Sequence, residues 1–318
     1  MEPELLSLFP SEEPRQETVE LEIFHDEMLD DAEHPFAHQF LFVPLTSKQP
    51  IFRVLEDIRL KCNSSNMTIN WKNISQRNQS RFLTGKQWLS IFVQALYRRG
   101  SFRYPLRGGE VLDLGHSLGV KSATFVIDSR DQLDERYWNG STISLANEKY
   151  LTIFKMGIKG ALHFLYNPVS SNISNVVIKK LYTDGEQCNS LPLTQRDILN
   201  ELGSSLRSHI TIEDSNLVFT PKSRIKTPEV DILELTDLVL GSTIYLGINT
   251  QDDRKIALTS ELRNMYNKRN RSRGFSNSGH FQTFTVSKAS VDPVIGWSFD
   301  QLETNMYPDS VIRLISEV

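Results

Sequence analysis

Alternating apolar and polar residues predict several strands in the first two thirds of the chain. Val19–Phe24 alternates apolar and acidic side chains with the period of two that is typical of a strand. Ala37–Pro44 follows across a polar connection, as in a hairpin with a long loop. Thr68–Ile74 is also predicted to be extended, and Ala123–Asp128 and Asn175–Asp184 are short runs rich in β-branched residues. We therefore expect paired strands at the start of the chain and further strands later.

A period of about 3.6 residues predicts helices between these strands. Thr84 is expected to cap one of them through its hydroxyl, and Gly100 to end it. Because strands and helices alternate up to about residue 247, residues 18–247 are predicted to form one α/β domain behind a flexible acidic leader, residues 1–17. The predicted helices are 50–60, 84–98, 147–166, 193–206 and the apolar run 231–241.

Two acids interrupt the most apolar of these helices. Glu234 and Asp237 are three residues apart, so on a helix both carboxylates would project from one face. Burying carboxylates is costly unless they are compensated, and a divalent cation is the strongest compensator available. The alternative is a structural pair, in which Glu234 caps the helix and Asp237 forms a salt bridge.

Composition narrows the class of protein. The chain has 318 residues, of which 39% are hydrophobic and 23% charged, so it can bury a sizeable core. A formal net charge of -4 argues against a protein that coats nucleic acid over its whole surface. Cys62 and Cys188 are too few for a disulfide framework or a zinc site and are expected to be buried thiols. Without a recognisable signal peptide or an apolar run of roughly 20 residues, a cytoplasmic protein with no membrane partner is expected.

A tract rich in basic residues follows the apolar helix. Between Arg254 and Arg273 the single acid is Glu261, and Tyr266 lies among the basic residues. Such a tract can neutralise several phosphates and bind nucleic acid without sequence preference, although a solvated surface is the alternative. We predict that residues 248–318 form a basic extension packed on the core, with Arg263, Lys268, Arg269, Arg271 and Arg273 as nucleic-acid contacts.

Acids also follow two of the predicted strands. Asp26 and Asp184 lie where ligands of open α/β sheets gather, beyond the strand ends. Together with Glu234 or Asp237 they would form an oxygen-only cluster suited to Mg²⁺ or Mn²⁺, and paired cations of this kind clamp the attacking and leaving oxygens of a phosphodiester. Ordinary turn chemistry is the alternative for each acid taken singly.

The order of these motifs resembles the bacterial family called domain of unknown function 3800, over roughly residues 19–247. That resemblance implies a ribonuclease-H-like fold, a mixed sheet flanked by helices. The motifs that carry it are His25-Asp26-Glu27, Ile69–Ser75, Ala123–Asp128, the long helix opening at Tyr150, Leu181–Gly185 and Leu233–Gly241.

The resemblance implies a metal-dependent nuclease that hydrolyses DNA or RNA by a two-metal mechanism. Asp26, Asp184 and Asp237 would be the metal ligands, and Lys72 would hold a phosphate or a neighbouring carboxylate. Glu27 and Glu234 would be auxiliary catalytic acids, and Asp128 would belong to the surroundings of the site or to none. A protein partner in a multi-component bacterial defence or mobile-element system is a further expectation.

Two residues depart from the family pattern. Met28 follows Asp26-Glu27 where the family has serine and then glycine, and Glu234 stands where the family has glutamine. These departures favour an alternative in which the same fold is catalytically inactive and acts as a nucleic-acid-binding or protein-assembly module.

Overall fold

A computed structural model of the chain describes residues 17–28, 36–74, 77–97, 101–115, 119–127, 145–167, 173–184, 202–213, 217–220, 225–245, 251–271, 284–292 and 296–302. Within these ranges a mixed sheet of eight strands is flanked by helices, which confirms the α/β class and the mixed sheet. Residues 1–16 of the leader, Asp128, Gly100, Cys188 and Arg273 lie outside the described residues, as does most of the helix predicted at 193–206. Glu17, the last residue of the predicted leader, begins the first strand.

The sheet places the first strand of the chain near its centre. The strands are β1 Glu17–Met28, β2 Phe36–Pro44, β3 Ser101–Pro105, β4 Val111–Gly115, β5 Lys121–Ile127, β6 Ile173–Thr183, β7 Ile210–Ile212, β8 Leu217–Phe219, β9 Phe284–Asp292 and β10 Gly296–Leu302; β3 and β4 form a separate hairpin. The order of the sheet is β10-β9-β5-β2-β1-β6-β7, and β8 pairs with β6 beyond the end of β7. Strands β1, β2 and β5 are antiparallel neighbours, whereas β1 and β6 are parallel.

Helices cover both faces of the sheet over two hydrophobic cores. The larger core, which includes Phe24 and Trp88, lies between the sheet and helices α1, α3 and α5, with α6 packed on α3 and α5. The second core, which includes Ile23 and Phe154, lies between the sheet and α4. The helices are α1 Leu45–Lys61, α2 Trp71–Ile74, α3 Gln79–Tyr97, α4 Leu145–Leu165, α5 Pro228–Ile244 and α6 Asp253–Arg271.

Two local predictions are wrong. Thr68–Ile74 is not a strand, because its second half forms the short helix α2. Thr84 does not cap α3: the helix begins five residues earlier, where the Asn78 carboxamide oxygen accepts a hydrogen bond from the Arg81 amide at 3.2 Å. The Thr84 hydroxyl instead donates to the Ser80 carbonyl within the helix.

The residues beyond 247 continue the same fold. Helix α6 buries Leu258 and Leu262 in the larger core. Strand β9 pairs in parallel with β5 and carries β10 at its outer side, so the C-terminal part extends the central sheet. These two strands were not predicted from the sequence.

Candidate functional site

Asp26 and Asp184 lie at the same level of two neighbouring parallel strands. His25 is opposite Thr183 in the register of β1 and β6, and the Asp184 amide donates to the His25 carbonyl at 3.4 Å. Asp26 is buried, with 4% of its surface exposed, and Asp184 is half-buried just after β6. Asp184 thus directly follows β6, whereas Asp26 lies within β1, two residues before its end.

The alternation of β1 assigns its two acids to opposite faces. Phe24 packs in the core beneath α5 and Ile23 in the core beneath α4. Because successive side chains of a strand point to opposite faces, Asp26 faces α5 and Glu27 faces α4. The Tyr150 hydroxyl, on α4, donates to the Glu27 carboxylate, in agreement with this assignment. The expectation that Glu27 assists Asp26 in one site is therefore corrected.

Asp184 belongs to the face of Asp26. Tyr182 stacks on Phe24 with ring centroids 5.0 Å apart, on the face covered by α5. Thr183 contacts His25 on the opposite face. Continuing this alternation by one residue places Asp184 beside Asp26 beneath α5.

Asp237, on α5, holds the start of the short helix α2. Its Oδ2 atom accepts a hydrogen bond from the Trp71 amide at 2.7 Å. Gly241, one turn further along α5, permits this approach, because a Cβ atom there would lie 2.1 Å from the Trp71 indole. Asp237 thus connects α5 to α2 and is half-buried at this junction.

Glu234 is compensated by two cations of the chain itself. It is fully buried, and its carboxylate is paired with the Arg59 guanidinium and, at 2.7 Å, with the Lys226 ammonium. The divalent cation expected from its burial is therefore not what compensates it. Burial raises the pKa of Glu234, and the two cations oppose that shift.

Arg59 is the centre of this ion-pair cluster. It is buried beside Trp88, with its guanidinium carbon 4.5 Å from the indole centroid. Its Nη2 atom donates to Asp231 at 2.8 Å as well as to Glu234, and its Nη1 atom donates to the Met67 carbonyl at 2.7 Å. The structural alternative had Glu234 as the cap and Asp237 in a salt bridge, whereas the structure has Glu234 in the ion pair and Asp237 as acceptor of the first amide of α2.

A group of potential metal ligands lies on the opposite face of the sheet. Among the described residues, one set of three or more His, Cys, Asp or Glu side chains has ligand atoms within 4.8 Å of one another. The set is His25, Glu27 and His38, so this group could hold a metal ion. Asp26, Asp184 and Asp237 do not approach one another as closely.

Hydrogen bonds join the two histidines to each other and to β6. The His25 Nε2 and His38 Nδ1 atoms are 2.8 Å apart, and His25 Nδ1 is 2.8 Å from the Thr183 hydroxyl. Both histidines are fully buried, and burial lowers the pKa of His38 to about 3. His38 is therefore a neutral imidazole at ordinary pH, which is the form that can accept a hydrogen bond or bind a metal.

The sequence pattern did not identify His38. His25 adjoins Asp26 in the sequence, but no spacing of metal-site type connects it to His38, thirteen residues away. The β1–β2 register supplies the connection by placing Glu27 opposite His38. Pairing the two predicted strands as a hairpin, with Glu27 opposite His38, would have identified this group from the sequence.

The predicted nucleic-acid contacts are distributed over two helices. Lys72 is exposed on α2, next to the residue bound by Asp237, and Arg263 is exposed on α6. Lys268, Arg269 and Arg271 lie in the last part of α6. Two other basic residues of the tract pack on aromatic rings, Arg254 over Phe82 and Lys255 over Tyr245.

No known protein family matches the chain, and no curated protein is similar to it. The membership suggested by the motif order is therefore still a prediction, and the function is inferred from the geometry of the molecule. Among the described helices, none combines the length and the apolar character that crossing a membrane requires.

Proposed function

We propose that this protein is a metal-dependent nuclease of the ribonuclease-H-like type, with Asp26, Asp184 and Asp237 as ligands of Mg²⁺ or Mn²⁺. The observation that carries the proposal is the position of Asp26 and Asp184 at one level of two parallel strands, on the face covered by the helix that bears Asp237. Carboxylate oxygens are the ligands that both cations prefer.

Because Asp26, Asp184 and Asp237 do not bring ligand atoms within 4.8 Å of one another, the proposal requires two cations rather than one shared ion. In two-metal sites the ions are about 3.5–4 Å apart, so acids that bind different ions need not lie within reach of a single ion. The hydrogen bond from Trp71 is compatible with this role, since a carboxylate has two oxygens and can accept it while binding a cation. The cations would supply the activated water and stabilise the charge that develops on the phosphate.

Two exposed basic side chains lie on helices that contact α5. Lys72 adjoins Trp71, whose amide is bound by Asp237, and exposed Arg263 lies on α6, which packs on α5. Lysine and arginine in these positions would neutralise phosphates of DNA or RNA beside the acids. Glu234 and Glu27 have no part in this proposal, because the first is in the Arg59 ion pair and the second faces α4.

Cleavage assays test the proposal directly. Purified protein is incubated with single- and double-stranded DNA and RNA in the presence of Mg²⁺, Mn²⁺ or chelator. Cleavage should require the cation and fall by at least about 100-fold in Asp26→Asn and Asp184→Asn, since each removes a charged ligand. Asp113→Asn, an exposed position on β4, is the matched control and should retain wild-type activity. Equal rates in wild type and in all three variants would contradict the proposal.

A second candidate is a non-catalytic nucleic-acid-binding module of the same fold. It is favoured by the contacts of α5, because Glu234 pairs with Arg59 and Asp237 accepts a hydrogen bond from the Trp71 amide. The discriminating measurement is affinity for a labelled oligonucleotide across a salt series, with and without Mg²⁺. Salt-sensitive binding that persists in chelator, together with no cleavage by wild type, would select this candidate over the nuclease.

A further inference from the structure

A polar cluster lies inside an aromatic shell beneath α4, on the face opposite the three aspartates. The His25 ring stacks on Phe40 at 5.0 Å and meets the edge of Phe154 at 4.8 Å. The His38 ring lies 5.0 Å from Tyr150. Two imidazoles and a carboxylate are thus held together within a largely apolar layer, where polar groups are costly unless they are well compensated.

We propose that His25, His38 and Glu27 form a binding site for a first-row transition metal ion of the zinc class. The ligand atoms are His25 Nε2, His38 Nδ1 and a carboxylate oxygen of Glu27. The site goes beyond the nuclease proposal, because it lies on the other face of the sheet and shares no residue with the aspartates.

The distance between the two nitrogens is close to what a shared metal ion requires. With metal–nitrogen bonds of about 2.0–2.1 Å, two nitrogens on one ion are about 3.0–3.4 Å apart. The observed separation of 2.8 Å needs to open by only a few tenths of an ångström. One ligand atom from each of the three side chains lies within 4.8 Å of those of the other two, so a carboxylate oxygen of Glu27 is near enough to join the same ion.

The neighbours of the ligands hold them in orientations suited to binding. The Thr183 hydroxyl contacts His25 Nδ1 at 2.8 Å, which allows Nδ1–H to donate to it and leaves the lone pair on Nε2. The Tyr150 hydroxyl donates to Glu27 Oε2 and so fixes the carboxylate. Metal-binding histidines and carboxylates commonly have such outer partners.

The donor set distinguishes this site from the aspartates. Imidazole nitrogens suit Zn²⁺, Co²⁺ and Fe²⁺, whereas Mg²⁺ prefers oxygen. A bound ion would tie β1 to β2 directly, and through Thr183 and Tyr150 it would also engage β6 and α4. Binding of the ion should therefore stabilise the folded chain against unfolding.

The test is a Zn²⁺ titration of chelator-treated full-length protein, with excess Mg²⁺ present to occupy oxygen-only sites. Wild type should bind one Zn²⁺ at submicromolar concentration and melt at a higher temperature when loaded. Co²⁺ in the same site should give visible absorption bands. Asp26→Asn should bind Zn²⁺ as wild type does, because Asp26 faces the other side of the sheet. The Zn²⁺ result therefore does not depend on whether the nuclease proposal is correct.

Variants of the ligands identify the site. His38→Asn and Glu27→Gln should weaken Zn²⁺ binding by at least about 100-fold, because each removes a direct ligand and even the loss of an outer partner typically costs about 10–100-fold. His163→Gln, a histidine on α4 outside the cluster, is the control and should bind as wild type does. Circular dichroism checks that each variant is folded. Wild type that takes up no Zn²⁺ at micromolar concentration overturns the proposal, as does Zn²⁺ binding that is unaffected by both ligand substitutions.

Discussion

At the scale of single residues, Gly241 decides how closely α2 approaches α5. A Cβ atom at this position would lie 2.2 Å from Trp71 Cγ, and Trp71 is itself 4% exposed. We predict that Gly241→Ala destabilises the fold by about 2 kcal/mol, because overpacking outweighs the gain in helix propensity. Urea denaturation measures the change. Gly108→Ala, where no atom lies within 4 Å of the new Cβ, is the control, and equal stabilities of the two variants would refute the packing argument.

Arg59 compensates two buried carboxylates at once. Arg59→Met leaves the carboxylates of Asp231 and Glu234 buried without their guanidinium, so a loss of about 3–5 kcal/mol in unfolding free energy is expected. Adding Asp231→Leu and Glu234→Met to Arg59→Met should restore part of this loss, since the two buried carboxylates are then gone; the recovery is incomplete because Lys226 loses Glu234. Urea denaturation of the single and triple variants measures both. Losses that simply add across the three sites would show that the residues do not act as a unit.

At the scale of elements, Asp57 connects α1 to the β3–β4 hairpin. It accepts from the Tyr104 hydroxyl at 2.9 Å and the Arg107 amide at 3.0 Å, and it pairs with Lys61 at 2.6 Å. Burial alone would raise the pKa of Asp57, but these three donors together lower it below 3.8. The ionised carboxylate is therefore more stable in the folded protein than in the unfolded chain.

The pH dependence of this contact follows from the sign of the shift. A lowered pKa gives stability that is present above the unfolded value of 3.8 and is lost as the pH falls through the folded value. Asp57→Asn should cost about 2 kcal/mol at pH 7 and distinctly less near pH 3. Urea denaturation at the two pH values measures this, with Asp113→Asn on the same hairpin as control. An equal loss of unfolding free energy at both pH values would mean that the charge of Asp57 does not contribute to stability.

Periodicity located the elements better than it located their ends. β1 and β2 were predicted because their alternation reflects two differently covered faces. α2 was missed because its four residues depend on Asp237, which lies 166 positions away along the chain. Helix α3 was placed too late because Thr84 is a good capping residue by type, whereas Asn78 holds that position. Contacts that are distant in sequence decide such details.

At the scale of the whole molecule, the sheet separates two chemically different layers. The face beneath α5 carries Asp26 and Asp184, and the face beneath α4 carries the His25–His38 pair. The adjacent residues His25, Asp26 and Glu27 therefore belong alternately to the two layers, because of the period of two in β1. The sequence predicted Asp26 and Asp184 as site residues because each follows a predicted strand. It could not show that Glu27 belongs to the other layer or that Arg59 compensates Glu234.

An anomalous difference map from crystals grown or soaked in Mn²⁺ locates the ions that the proposed nuclease site would bind. The nuclease proposal predicts a peak on the α5 face within about 2.5 Å of carboxylate oxygens of Asp26 and Asp184, with Asp237 bound to the same or a second ion. The absence of any peak beside Asp26 and Asp184 in millimolar Mn²⁺ would contradict the claim.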